Sequence, residues 1–565
     1  MRLATITIAT AVLVTSARAA SAFCGFYVSG SNEKLANDAT QVVLMREGTR
    51  TALSMQNDYK GPPEKFAMVV PVPVVLKKEN VKTLPKNVFT KIEELDAPRL
   101  VEYWEQDPCS PGWGIGFGAG GLGLRGAGAG GGGAGDGVGL GVKVEAQFTV
   151  GEYEIVILSA ENSTGLDTWL KQEKYSIPEG AEPVLRPYVA AGSKFFVAKV
   201  DPTKVTFEGG RATLSPLRFH YDSETFSLPV RLGLLNSSGT QDLIVHIIGK
   251  GKRYEAANYP NVTIPTNFDV SDATRTDFAP FYAALFDDTL AKHPKAVVTE
   301  YSWDAGSCDP CPTPPLDAQQ VATLGGDVMP TPVMGHRDGI GLGNLGTRAG
   351  GGGSGASGGF GGYYGGVEGY VLTRLHLRYT KEALGEDVVF KEATAIEGGR
   401  EGFPYVRDDG GKSDRYGATQ SYSNNFQARY VIRHRWTGPI LCDHPERDRW
   451  GGPWPADGGA GTSPAQKPTP AKNLAYARRG NMQLASFVRS DVPGVAGGQP
   501  PTDLAPAPSA SGSATPTQSA SGAPTSKGCF GCATASTDGG GLAVLGGGAF
   551  ALVALVRRAR RKRNR

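Results

Sequence analysis

Apolar and polar positions alternate along much of this chain, in short runs separated by turn residues, which is the signature of half-buried strands. VVLMREGTRTALSM (42–55) predicts a hairpin around Glu47-Gly48, and FFVAKVDPTKVTF (195–207) turns at Asp201-Pro202. DLIVHII (242–248) is β-branched strand material. FAMVVPVPVVL (66–76) is apolar but carries Pro71 and Pro73, which lack the N–H a ladder needs, so an edge or irregular strand is expected. Two segments switch to helical spacing. STGLDTWLKQEKY (163–175) places Leu166, Trp169 and Leu170 on one face, and FAPFYAALFDDTLAKH (278–293) stacks Phe278, Phe281, Tyr282, Leu285 and Phe286 three and four apart. An aromatic stripe of this kind reads as core. The expected class is α+β and β-rich, with mostly antiparallel sheets and a few helices.

Three biased stretches interrupt this pattern. Residues 112–141 and 338–366 are glycine-rich, and 451–528 are rich in Pro, Gly, Ala and Ser. Such chain buries too little apolar surface to offset its ordering entropy, so all three are expected to be long disordered loops or linkers. RLVEYWEQDPC (99–109) precedes the first insert and VVTEYSWDAGSCDPC (297–311) the second, each with Glu-Tyr, then Trp, then Asp-Pro-Cys. Strand-like sequence follows both inserts, at 142–161 and 370–393. A diverged internal repeat explains the likeness, and so does chance similarity of two sheet edges.

The two ends address the chain. Leu3 to Val14 is an apolar run behind Arg2, and Ala20-Ser21-Ala22 is a small-x-small site, so residues 1–22 read as a signal peptide cut between Ala22 and Phe23. Phe23 before Cys24 departs from a lipidation site. At the other end Gly539 to Val556 makes an apolar helix of roughly 27 Å, enough for the hydrocarbon core. Arg557, Arg558, Arg560, Arg561, Lys562, Arg563 and Arg565 follow it and would stay cytoplasmic. Six glycines within that helix weaken it, which suits a transient signal better than a lasting anchor. The export machinery and the membrane are the expected partners.

The formal charge of +3 is a product of these ends: without the seven tail and two leader cations, 49 basic residues face 55 acidic ones. A body of about −6 with no basic stripe excludes nucleic acid as the expected partner.

Candidate chemistry is sparse. Gly355-Ala356-Ser357-Gly358-Gly359 matches a nucleophile elbow only by composition, because no strand–turn–helix context surrounds it. Gly411-Lys412-Ser413 ends like a phosphate-binding loop, but Val406 stands where its first glycine belongs. Seven cysteines suit an exported chain with a few staples: Cys24, Cys109, Cys308, Cys311 and Cys442 in the body, Cys529 and Cys532 in the tail. Cys308-Asp309-Pro310-Cys311 fits a structural disulfide, a redox pair, or half of a zinc site completed by Cys442 and His444. A bond between Cys24 and Cys109 is expected, since both lie in the first half while the other three cluster with the second. No cofactor and no catalytic residue is assigned.

CGFYVSG (24–30), NDYKGPPEKFAMVVPVPVVL (57–76), APRLVEYWEQDPC (97–109), LSPLRFHYDSETFSLPVRLGLLNSSGTQDLIVHII (214–248) and RLHLRYTKE (374–382) resemble the bacterial domain-of-unknown-function family 2330 over roughly residues 23–450. The resemblance implies an exported domain and no particular reaction. The tail resembles the C-terminal sorting signal of myxobacterial surface proteins: Cys529 and Cys532, a short apolar helix at 539–556, then the arginine cluster. That likeness implies recognition and removal by a sorting protease. The expected organisation is a signal peptide (1–22), an exported domain (23–450), a stalk (451–528) and a sorting tail (529–565). The expected function is binding or structural at the membrane or cell surface, with an unknown ligand. The alternative is an exported hydrolase or metal-dependent enzyme whose site is assembled from distant residues.

Overall fold

The computed structural model describes residues 26–331 apart from 30–35, 61–65, 106, 110–141, 179, 209–210, 237–240 and 310, then 367–447 without 368, 381–383 and 400–415, and short pieces at 333, 450–451, 469–470, 483–489 and 495. Contacts divide the chain at Ala505, and all described residues belong to the first unit. The signal segment, Cys24, both glycine-rich inserts, Cys529, Cys532, the 539–556 segment and the basic tail lie outside the described residues. Among the described residues no helix is long and apolar enough to cross a membrane.

The elements that position the site are β1 (Phe26–Ser29), β2 (Ala36–Glu47), β3 (Arg50–Lys60), β4 (Phe66–Val72), α1 (Asn87–Asp96), β5 (Arg99–Glu105), β6 (Val142–Val150) and β7 (Tyr153–Ala160). They continue with α2 (Ser163–Gln172), α3 (Ala181–Ala190), β8 (Lys194–Val200), β9 (Leu217–Asp222), β10 (Gln241–Lys250) and α4 (Phe278–Lys292). The last are β11 (Val297–Asp304), α5 (Ala318–Leu324), β12 (Tyr370–Tyr379) and β13 (Arg429–His434).

Two sheets pack face to face. The first has the order β1-β4-β8-β7-β6 and is antiparallel throughout. The second runs β9-β3-β2-β10-β12-β11 through its centre, with one parallel pair, β2 with β10. Alternation assigns the faces. Met68, Ile155, Ile157 and Phe196 of the first sheet meet Val42, Leu44, Leu243, Val245 and Leu375 of the second. The residues between them point outward: Val69, Val156 and Val197 pack under α2 and α3, and Val43, Met45 and Ile248 pack with α1 and α5. A strand buried on both faces reads as a continuous apolar run. This is why β4 shows no polar alternation.

The β2–β3 hairpin turns at Gly48, whose φ of +60° favours glycine. Asn162 caps α2 by accepting from Gly165 N at 2.6 Å. The Asp201-Pro202 turn is also present, but it carries the chain from β8 to a strand of the other sheet.

Some expectations are corrected. β4 is internal, since β1 pairs with Phe66–Val69 on one side and β8 with the whole strand on the other. Pro71 lies two residues past Val69, which pairs with Phe26, the first described residue of β1. The presumed repeat does not govern the topology. Both β5 and β11 follow a helix, but β5 pairs parallel with β13 in a separate sheet, whereas β11 pairs antiparallel with β12, the strand after its own insert. Described residues past the expected boundary at 450 also join these elements. Trp450 pairs with Glu105 and Thr469 with Leu100, and Leu484 and Val488 are buried beside Phe281 and Tyr430. Leu484-Ala485-Ser486-Phe487-Val488 is an apolar island inside the biased stretch, and its burial outweighs the composition around it.

Candidate functional site

The helix-side face of β10, β12 and β11 carries a chain of ionisable side chains where an apolar face would be expected. Asp242 and His246 project from β10, and Arg374, His376 and Arg378 from β12, with His246 registered opposite Arg374. Glu300 joins them from β11, on the face of Val298, which pairs with His376. Tyr301 pairs with Arg374, so β11 has one more residue than β12 between Thr299 and Tyr301. This is a β-bulge, a device that re-aims a side chain, and it brings Tyr301 onto the same face as Glu300. Asp96 reaches in from the last turn of α1, and Tyr282 and Phe286 from α4.

The groups pair in sequence. Asp96 Oδ2 lies 2.5 Å from His246 Nδ1, and Asp96 Oδ1 accepts from Arg374 Nη1 at 3.0 Å. Arg374 Nε donates to Glu300 Oε2 at 2.6 Å. Glu300 Oε1 accepts from His376 Nδ1 at 2.7 Å and from the Tyr282 hydroxyl at 2.6 Å. His376 Nε2 stands 3.5 Å from Asp242 Oδ1, which also accepts from Arg378 Nε at 2.6 Å. Arg378 reaches Asp287 at the rim of α4. The Phe286 ring stacks on His376 with centroids 3.9 Å apart. Asp96, His246, Glu300 and Arg374 are wholly buried and the His376 side chain is 2% exposed.

Burial disfavours every one of these charges, and the neighbours decide the outcome. Burial pushes the Glu300 carboxyl up, but the His376 and Arg374 charges outweigh it and hold it at about 2. Burial pushes the His376 imidazole down, but Glu300 and Asp242 outweigh it and raise it to about 9. Asp242 is likewise depressed against burial, by His376 and Arg378. Near neutral pH the Glu300 and Asp242 carboxylates thus face Arg374, Arg378 and protonated His376. Buried ions require such balance, because an unpaired one costs several kcal/mol. Among the described residues, two nitrogens at the centre, His246 Nε2 and Arg374 Nη2, have no hydrogen-bond partner.

Carboxylates, imidazoles and a phenol are the groups of general acid–base chemistry. Here each is spent on another and sealed beneath α1 and α4, so the arrangement holds the helices on the sheet through fixed charge. A separate open groove of about 380 Å³ lies between α1 and α5, lined by Val88, Lys91, Glu94, Gln320 and Thr323 among others. It lies outside the ionic network.

The cysteines assemble differently from expectation. Cys109, just after β5, is bonded to Cys442 across a separation of 333 residues. That excludes the expected partnership of Cys109 with Cys24. Sequence separation misled here, because the parallel pairing of β5 with β13 brings the two strand ends together. Cys308 and Cys311 are bonded to each other. With Cys442 committed to Cys109 and His444 exposed, the four candidate zinc ligands do not come together. Among the described residues no cluster of His, Cys, Asp and Glu forms a metal-binding set. Ala22, Phe23, Cys24, Cys529, Cys532 and the basic residues 557–565 fall outside the described residues.

The ionic layer was not among the expected sites. Its signal in the sequence is the alternation of Arg374, His376 and Arg378 with Leu375, Leu377 and Tyr379, which on its own reads as an ordinary solvent face.

Neither a curated protein nor a solved structure matches this chain. A family model matches residues 18–391, which include α1, α4 and β5 to β12 and end before β13; its description is an uncharacterized protein conserved in bacteria. On this match the chain belongs to the domain-of-unknown-function family 2330.

Proposed function

We propose that this chain is an exported domain, tethered to the membrane or displayed on the cell surface, with a binding or structural role. The observation that carries the reading is the Cys109–Cys442 bond, which ties β5 to the loop after β13. Disulfides joining distant elements persist in oxidising compartments outside the cytoplasm. The apolar run from Leu3 to Val14 and the small residues up to Ala22 supply the route there. Residues 539–556 and the arginines after them supply the means of retention, and Cys529 and Cys532 the point where a sorting protease would act. A non-catalytic role fits the balanced, buried pairing of the titratable groups around Glu300.

The test is the C-terminal peptide of surface-exposed protein, released by protease from intact cells and read by mass spectrometry. Sorting predicts that this peptide ends near Cys529 or Cys532, and that replacing both cysteines with alanine leaves the chain uncut in the inner membrane. A peptide running through Val556 into the basic cluster makes the segment a permanent anchor. Recovery of the whole chain from the cytoplasm with reduced Cys109 and Cys442 overturns the proposal.

A further inference from the structure

We propose that the Cys308–Cys311 bond is a site of thiol–disulfide exchange, opened and closed by a dithiol while the fold stays intact. The two cysteines are three residues apart, so the bond removes little freedom from the unfolded chain, whereas Cys109–Cys442 spans 333 residues and constrains it heavily. Opening the short bond therefore costs the fold little. The sulfurs are also unequal in access. Cys311 is exposed, while Cys308 is 4% exposed and packs in the core with Trp303, Leu316 and Met329. An incoming thiolate meets Cys311 first.

The loop does not depend on the bond for its shape. Trp303 Nε1 donates to Ser307 Oγ at 3.2 Å, Gly306 N to Asp304 Oδ1 at 2.9 Å, and Leu316 N to Ala305 O at 3.0 Å. Buried Gln427 donates from Nε2 to Asp309 O at 2.5 Å, pinning the residue that follows Cys308. The Cα atoms thus stay near their 5.0 Å separation after opening, close enough to rejoin. Both thiols of the open form also have acceptors in place. Thr313 O lies 3.8 Å from Cys308 Sγ, and Cys308 O lies 3.0 Å from Cys311 Sγ.

The step balances. A thiolate of the dithiol attacks Cys311 Sγ, forming a mixed disulfide and expelling the Cys308 thiolate, which takes up a proton. The second thiol of the reagent loses its proton and attacks its own sulfur of the mixed disulfide. Cys311 leaves as a thiolate and is protonated, and the reagent departs as its disulfide. Two electrons pass to the cysteine pair, and oxidised reagent returns it by the reverse sequence.

The experiment uses the full exported chain, with dithiothreitol as the dithiol probe. Samples are acid-quenched over time, alkylated and read by peptide mass spectrometry, with far-UV circular dichroism followed in parallel. Cys308 and Cys311 should become labelled at least about fivefold faster than Cys109 and Cys442, since access governs exchange rates. The dichroism should stay unchanged, and oxidised dithiothreitol should restore the bond. Opening of Cys109–Cys442 first or at an equal rate overturns the proposal, and so does loss of the dichroism signal as Cys308–Cys311 opens. In a Cys308→Ala, Cys311→Ala double variant the fast phase should vanish while the dichroism is retained. A fast phase that survives assigns it to other thiols and also rejects the site.

Discussion

Replacing Arg374 with methionine removes a cation that touches both Asp96 and Glu300 while keeping much of its volume. Its Nη1 lies 3.0 Å from Asp96 and its Nε 2.6 Å from Glu300, and all three side chains are wholly buried. The substitution leaves two carboxylates in a layer closed to water, with His246, His376 and the Tyr282 hydroxyl beside them. Removing one partner of a buried ion pair costs about 3–5 kcal/mol, and two orphaned acids place the expected loss near the top of that range. Against a total stability on the order of 5–15 kcal/mol, such a loss is large. The assay is urea unfolding of the exported chain followed by circular dichroism, at about pH 7.5 and about pH 4.5. In the wild type Glu300 is held at about 2 and stays ionised at both. In the variant burial is less opposed, so the Glu300 carboxyl pKa rises and a proton enters at the lower pH. The destabilisation should therefore shrink to roughly half on acidification, as linkage requires. Adding Glu300→Gln to the variant removes a stranded charge and should recover part of the loss at the higher pH. A loss under about 1 kcal/mol, or an equal loss at both pH values, would refute the ionic account and leave Arg374 as packing.

Two further outcomes are expected. The folded His376 stands at about 9, above its ordinary 6.5, so its contribution is fully present below that ordinary value and is lost as pH rises through the folded one. That contribution is at most about 3 kcal/mol, counted once because the same attraction depresses Glu300. Wild-type stability should fall over this alkaline window, and His376→Gln should flatten the slope; an unchanged slope in the variant would assign it elsewhere. Leu484→Ala should cost about 2–3 kcal/mol, because Leu484 is buried with Phe281 and Val488. A change within about 0.5 kcal/mol would place residues 483–489 in a free stalk instead.

What the sequence determined by itself was local. A turn signal located β2 and β3, β-branched content located β10, and aromatic spacing located α4, because these signals depend on near neighbours in the chain. The CxxC spacing likewise put Cys308 and Cys311 within reach of each other, though it left open what joins them. Tertiary structure decided everything that joins distant segments. Cys109 pairs with Cys442 because β5 runs parallel to β13, a register that neither strand's sequence encodes. Arg374, His376 and Arg378 look like a solvent face until α1 and α4 cover them. Glu300 becomes their counter-ion because β11 pairs with β12 in the register that sets Val298 opposite His376. The physical reason is common to all three. A side chain's period states which face it occupies, but whether that face meets water or another layer depends on packing between elements far apart in the chain.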